Sequence, residues 1–200
     1  MPIITINDRI RYVEASDAPL SADIGIVRDG GGVWLYDVGN GEKNISDLTG
    51  SYHIVLSHFH ADHTGNIGRI QAKTLYVSGE TFAHVHRGTI VQADLYIGDM
   101  HIFPLPSSHA KGCLGLEVGE TYAFVGDALY CKVRDGCYIY NAQLLKEEIA
   151  VLGALRSPYL LVSHWGGLIR KKEDALKELK AIYAMRSKSA SEIKVPINPD

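Results

Sequence analysis

Three histidines and a carboxylate lie within six residues in Ser57-His58-Phe59-His60-Ala61-Asp62-His63-Thr64-Gly65-Asn66, directly after the apolar run Ile54-Val55-Leu56. Imidazole and carboxylate together are the ligand set of zinc and related divalent ions. His58 and His60, alternating at the end of a strand, can turn two ring nitrogens toward one ion, which leaves Asp62 and His63 to reach a second. A lone His-x-His is as easily an ordinary surface loop. The full pattern His-x-His-x-Asp-His is far narrower.

Further candidates stand in the same relation to the chain. His109 follows the apolar segment ending in Pro104-Leu105-Pro106-Ser107-Ser108, Asp127 follows Thr121 to Val125 and Gly126, and His164 follows Tyr159-Leu160-Leu161-Val162-Ser163. Strand ends on one edge of a layered sheet converge in space, whereas histidines placed at random would be scattered through helices and loops. One more strand ends in Leu35-Tyr36-Asp37-Val38-Gly39. Asp37 reads equally well as a turn residue accepting local backbone N–H bonds and as a support for the ligand loops.

With these residues in view the chain resembles the metallo-β-lactamase-fold hydrolases over roughly residues 20 to 170. The resemblance implies an α/β (α+β) fold, a four-layer αβ/βα sandwich of two mixed β-sheets flanked by helices. It implies a first metal held by His58, His60 and His109 and a second held by Asp62, His63 and His164. Asp127 bridges the two, and Asp37 supports the loops without binding metal. The cofactors expected are two divalent ions, zinc first, with iron or manganese as the other candidates.

The family's known branches narrow the expectation. Asp at 127, where the metallo-β-lactamases proper show Cys, speaks against antibiotic hydrolysis as the native role, and His60 speaks against the flavodiiron branch, which has Glu there. The ligand order is similar to that of glyoxalase II, without the extra C-terminal helical region after Lys172 to Arg186. The leading expectation is a dinuclear hydrolase in which a metal-bridging hydroxide attacks a small-molecule ester, thioester or lactone, with Asp62 orienting it or taking its proton. The rivals are a phosphodiesterase or RNase Z-like nuclease, a mononuclear iron dioxygenase acting on sulfur substrates, and a non-catalytic metal-binding protein.

The elements that must position these side chains follow from periodicity. Ile3 to Glu14 reads as an opening strand or hairpin, and Ala22 to Arg28 with Val33 to Val38 reads as a hairpin around Asp29-Gly30-Gly31-Gly32. His53 to Leu56 is a buried strand delivering the ligand loop, and Ile67 with Ile70 suggests a short helix weakened by Gly65 and Gly68. Thr74 to Val77 (strand), Glu80 to His86 (helix), then Gly88 to Ile97 and His101 to Leu105 (strands) come next. His84 and His86 read as surface residues and His101 as packed or exposed. Leu114 to Val118 and Thr121 to Val125 pair, and Asn141 caps a helix to about Arg156 with Leu145, Ile149 and Leu152 on one face. Lys172 to Arg186 is an amphipathic helix whose Leu176, Leu179, Ile182 and Tyr183 read as core. Ser187 to Asp200 reads as a loosely held tail. Tyr130, Lys132, Arg134 and Trp165 are candidates for the pocket mouth, without an assigned role.

Length and charge bound the remainder. Two hundred residues suit one domain, 1–200, with a buried core. A 46% hydrophobic and 22% charged composition is that of a globular protein, and a net charge of −3 with mixed signs leaves no field for general nucleic-acid binding. No apolar run approaches a membrane span, and the N-terminus lacks a basic region followed by an apolar core, so a cytoplasmic protein without a membrane partner is expected. Cys113, Cys131 and Cys137 are odd in number and form no Cys-x-x-Cys pair, which indicates neither a disulfide framework nor a thiolate site.

Overall fold

Alternation along the central strands sorts their side chains into three apolar layers. A computed structural model describes residues 2–197. β1 (Ile3–Thr5) and β2 (Ile10–Val13) form a hairpin, and β3 (Ser16–Asp17) with β4 (Leu20–Ser21) a short ladder. β5 (Ile24–Asp29), β6 (Gly32–Tyr36), β7 (Ser51–Val55), β8 (Gln71–Val77) and β9 (Thr89–Ile90) complete a sheet in the order β1-β2-β5-β6-β7-β8-β9. It is antiparallel as far as β6 and parallel from β6 to β9. A second sheet runs β10 (Leu95–Ile97), β11 (Met100–Leu105), β12 (Cys113–Val118), β13 (Tyr122–Gly126), β16 (Tyr159–Val162) and β17 (Ile169–Lys171), with β13 and β16 parallel.

Between the sheets lie Val27, Trp34, Tyr36 and Val55 of the first against Ile102, Leu114, Leu116 and Phe124 of the second. The intervening residues Ile26, Leu35 and Ile54 face outward beneath α2 (Gly79–Val85). Phe103, Leu105, Val125 and Leu160 face outward on the other side, beneath α3 (Ala142–Ala154) and α4 (Lys172–Ala184). Period-two alternation therefore feeds two cores per sheet, which is the four-layer sandwich expected. The sheets approach closely at Gly25, where a Cβ would lie 2.4 Å from the Phe124 ring that stacks on Tyr36 at 5.1 Å. Asn141 caps α3, its side chain accepting from the amides of Gln143 and Leu144.

Several elements differ from the expected ones. The helix expected near Ile67 and Ile70 is instead the single turn α1 (Ala61–Thr64), so Asp62 and His63 are helical and residues 65–69 continue as hydrogen-bonded turns. Gly88 to Ile97 is not one strand. β9 ends the first sheet, β10 begins the second, and polar Gln92 and Asp94 fall in the crossing. The tail is also not loose over Glu192–Pro196, which forms β18 and pairs with β15 (Cys137–Asn141), itself joined to β14 (Lys132–Arg134). Ile193 is buried there in the α3–α4 core, and that apolar burial outweighs the polar composition around it. Residues 198–200 of that tail lie outside the described residues. Cys131 and Cys137 are free; Cys137 sits opposite Arg134 in the ladder.

Glu148 is a buried carboxyl on the inner face of α3, 1% exposed, with Oε1 lacking a hydrogen-bond partner. Burial raises its pKa well above the ordinary value. Folding therefore takes up a proton between the unfolded pKa near 4.5 and the higher folded one, and the stability present below 4.5 is progressively lost as pH rises toward the folded value. Glu148→Gln removes this loss. Its unfolding free energy, measured by denaturant titration, is expected to match the parent's at pH 4. The advantage should then widen by up to about 1.4 kcal/mol per pH unit above pH 5.

Candidate metal centre

The seven residues singled out at strand ends and in α1 meet at one edge of the sandwich, in two adjoining groups. His58, His60 and His109 form the first; Asp62, His63, Asp127 and His164 form the second, each with its ligand atoms within 4.8 Å of one another. β7 delivers His58 and His60, α1 presents Asp62 and His63, and the ends of β11, β13 and β16 carry His109, Asp127 and His164. Parallel pairing of β13 with β16 sets the last two side by side at the carboxyl ends of neighbouring strands.

In the first group His60 Nδ1 lies 2.9 Å from His58 Nε2 and 3.1 Å from His109 Nε2. In the second, Asp62 Oδ2 lies 3.1 Å from His164 Nε2 and 3.6 Å from His63 Nε2. Asp127 Oδ2 stands between the groups, 3.3 Å from His63 Nε2 and 3.4 Å from His109 Nε2.

A cation fits these atoms. Three imidazole nitrogens converge where hydrogen bonds among themselves cannot satisfy them all, because a neutral ring offers one N–H and one lone pair. His63 Nε2 and Asp127 Oδ1 are buried without a hydrogen-bond partner. Tetrahedral bonds of 2.0–2.1 Å place nitrogens about 3.3 Å apart, close to the spacing seen. Burial, followed by the charges of neighbouring histidines, pushes His58 far below its usual pKa, and burial also lowers His60 and His109. All three are thus biased toward the neutral form that binds metal. Burial opposes protonation of His63 as well, but Asp37 and Asp127 outweigh it and push that ring up to about 10. This ring is therefore a cation between two carboxylates, in the place a metal ion would take. His164 is raised by its hydrogen bond to Asp62.

Asp37 is fully buried, in a left-handed conformation (φ 62°), and its carboxylate accepts from Ser57 N, Ser57 Oγ and His63 Nδ1, each at 2.7 Å. Because Ser57 Oγ–H donates to Asp37, the same oxygen is left to accept from His58 Nδ1 at 3.0 Å. Each ring then has its Nδ1–H held by an acceptor and its Nε2 turned inward. The role of Ser57 went unrecognised in the sequence, although its place between strand and ligand run was a signal.

Two aromatic rings border the ligand histidines, Phe59 with its centroid 4.9 Å from that of His60 and Tyr130 6.4 Å from that of His109. Phe59 stacks on exposed His84 with ring centroids 4.3 Å apart, and Tyr130 donates to Ser163 O at 2.9 Å. Trp165 lies under the Arg170 guanidinium at 4.6 Å. Lys132 and Arg134 instead sit on the exposed hairpin, where Arg134 pairs with Glu192 at 2.7 Å. His101 is packed under Tyr96 and faces Asp94 and Glu117, away from the seven.

No family model and no curated relative matches the chain. Solved structures do. A B3 metallo-β-lactamase with an active-site glutamic acid matches with a TM-score of 0.69 at 14% identity, covering 93% of this chain and 90% of the other. DIM-1 metallo-β-lactamase matches at 0.68 with 13% identity, over 93% of this chain and 98% of its own. MIM-1 from Novosphingobium pentaromativorans matches at 0.65 with 15% identity, over 92% and 89%. At these identities the likeness is one of fold.

Proposed function

Taking the metallo-β-lactamase fold as its frame, we propose that this chain is a dinuclear metal-dependent hydrolase, with zinc as the expected metal, acting on a small ester, thioester or lactone. The observation that carries the reading is Asp127 standing between two complete ligand groups, with its second oxygen buried and unpartnered. When bound, two divalent ions would supply water acidified from about 15.7 to about 7 and a Lewis acid for the oxygen under attack. His58, His60 and His109 would hold one ion; Asp62, His63 and His164 the other; Asp127 both.

The protein's own share of the chemistry follows from its geometry. Asp37 and Ser57 keep two rings in the required tautomer. Asp62, half-buried and kept below its usual pKa against burial by the His164 hydrogen bond and the His63 charge, is an ionised acceptor beside the reacting centre. It can orient the attacking water and receive its proton. Phe59 and Tyr130, each beside a ligand histidine, would offer apolar surface suited to an acyl group. Among the described residues no helix is long and apolar enough to cross a membrane.

The test is a metal count joined to a substrate screen. Protein purified without chelator is expected to carry close to two metals per chain, and to turn over ester, thioester or lactone reporters faster than phosphodiesters or a β-lactam. One iron per chain with oxygen uptake, or a phosphodiester or β-lactam as the best substrate, would overturn the assignment.

A further inference from the structure

The loop carrying His164 is held from the opposite sheet. His164 has φ +57° and Leu168 φ +62°, conformations that side-chain-bearing residues rarely adopt, with Gly166 and Gly167 between them. Such a backbone persists only where its surroundings over-determine it. The surroundings here are Asp23, 6% exposed, in the link between β4 and β5. Its Oδ2 accepts from the His164 amide at 2.9 Å and from Ser163 Oγ at 3.2 Å, and its own amide donates back to Ser163 Oγ at 3.1 Å. Oδ1 accepts from Ala15 N at 3.1 Å, which fixes the carboxylate's direction. The residue before it, Ala22, donates its amide to Asp62 O at 2.9 Å.

Two consecutive residues thus grip, by hydrogen bonds to their backbones, the two members of the second group whose side chains meet at 3.1 Å. We propose that Asp23 is a positioning residue for the second metal: it locks the strained His164 backbone so that Nε2 reaches the ion beside Asp62, with no share in the His58–His60–His109 group. The inference rests on the two-ion reading above. Removing the carboxylate frees the 163–168 loop to relax toward ordinary backbone angles and swings the His164 ring off the site. Nothing in that change moves His58, His60 or His109.

The experiment titrates metal-free full-length protein with cobalt(II), followed by visible absorption and calorimetry. The parent is expected to bind two ions. Asp23→Ala should weaken one event by about 10- to 100-fold, the usual cost of losing a residue that orients a ligand, and leave the other unchanged. Asp23→Asn, which keeps one carbonyl oxygen for a three-donor site, should fall between, and it carries the comparison if the alanine variant does not fold. Leu152→Ala, which opens the core beneath α3, should lower the unfolding temperature and leave both affinities alone. Equal weakening of both events by the Asp23 variants, or two parental affinities in both, overturns the positioning role. A parent that binds a single ion overturns the two-ion reading itself.

Discussion

Asp127→Ala is expected to abolish measurable turnover, a loss of at least about 10³-fold, and to strip most of the metal from both groups. The scale is that of removing a principal electrostatic group from a preorganised site. The reason is positional. Asp127 Oδ2 lies 3.3 Å from His63 Nε2 and 3.4 Å from His109 Nε2, one from each group, so its removal would leave each of the two proposed ions short of a ligand. A substitution confined to one group, such as His109→Ala, should leave the other able to bind. The check is metal analysis after gel filtration, joined to thermal unfolding with and without added zinc. Metal that binds only the native state stabilises it by RT ln(1 + [L]/Kd), about 2.7 kcal/mol at one hundred times Kd. The parent's unfolding temperature should therefore rise with zinc and the variant's should not. A variant that hydrolyses the best substrate at the parental rate would remove the bridging assignment.

What the sequence could disclose depended on how far apart the cooperating residues lie. His58, His109, Asp127 and His164 each follow an apolar run and His60, Asp62 and His63 crowd directly behind the first, a pattern that the family resemblance turned into a ligand set, and sheet geometry brings those strand ends together. Asp23 carries no such mark. It is an acidic residue ahead of an ordinary strand, and its partner Ser163 is 140 positions away. Glu148 was detectable, since it falls on the same helical face as Leu145, Ile149 and Leu152, but a face judged by its apolar members hides a buried carboxyl.

The β14–β15 hairpin was detectable too. Asp135 and Gly136, at φ 52° and 68°, form the two-residue turn that this dipeptide favours. β14 (Lys132–Arg134) is short, charged and exposed, so the apolar run Cys137-Tyr138-Ile139-Tyr140 stood without an evident partner strand. The tail strand Glu192–Pro196 could be recognised only after that hairpin gave it an edge to pair with. Non-local pairing of short, half-polar strands is what single-sequence patterns see least well.

Asp37→Asn should lower turnover by about 10²- to 10⁴-fold, the range over which a misplaced imidazole tautomer disables a site, with little change in fold. Asn fills the same volume and tolerates the left-handed backbone that position 37 adopts. Its amide oxygen can still accept from Ser57 N. The NH₂ then faces His63 Nδ1, whose N–H the carboxylate had accepted at 2.7 Å. Two donors cannot meet there, so the ring must shift its proton to Nε2, and that nitrogen no longer offers a lone pair to the second ion. The bound metal should drop from about two per chain toward one, retained by His58, His60 and His109. Asp37→Ala behaves differently, because it leaves buried donors on Ser57 and His63 with nothing to bind, at about 1–3 kcal/mol each. That variant should lose stability as well as metal. The deciding measurement is the histidine ¹⁵N spectrum of the zinc-loaded protein beside the metal count. If Asp37→Asn keeps the Nδ1–H form of His63 and two bound metals, the carboxylate does not set the tautomer and the account of the second group has to be rebuilt.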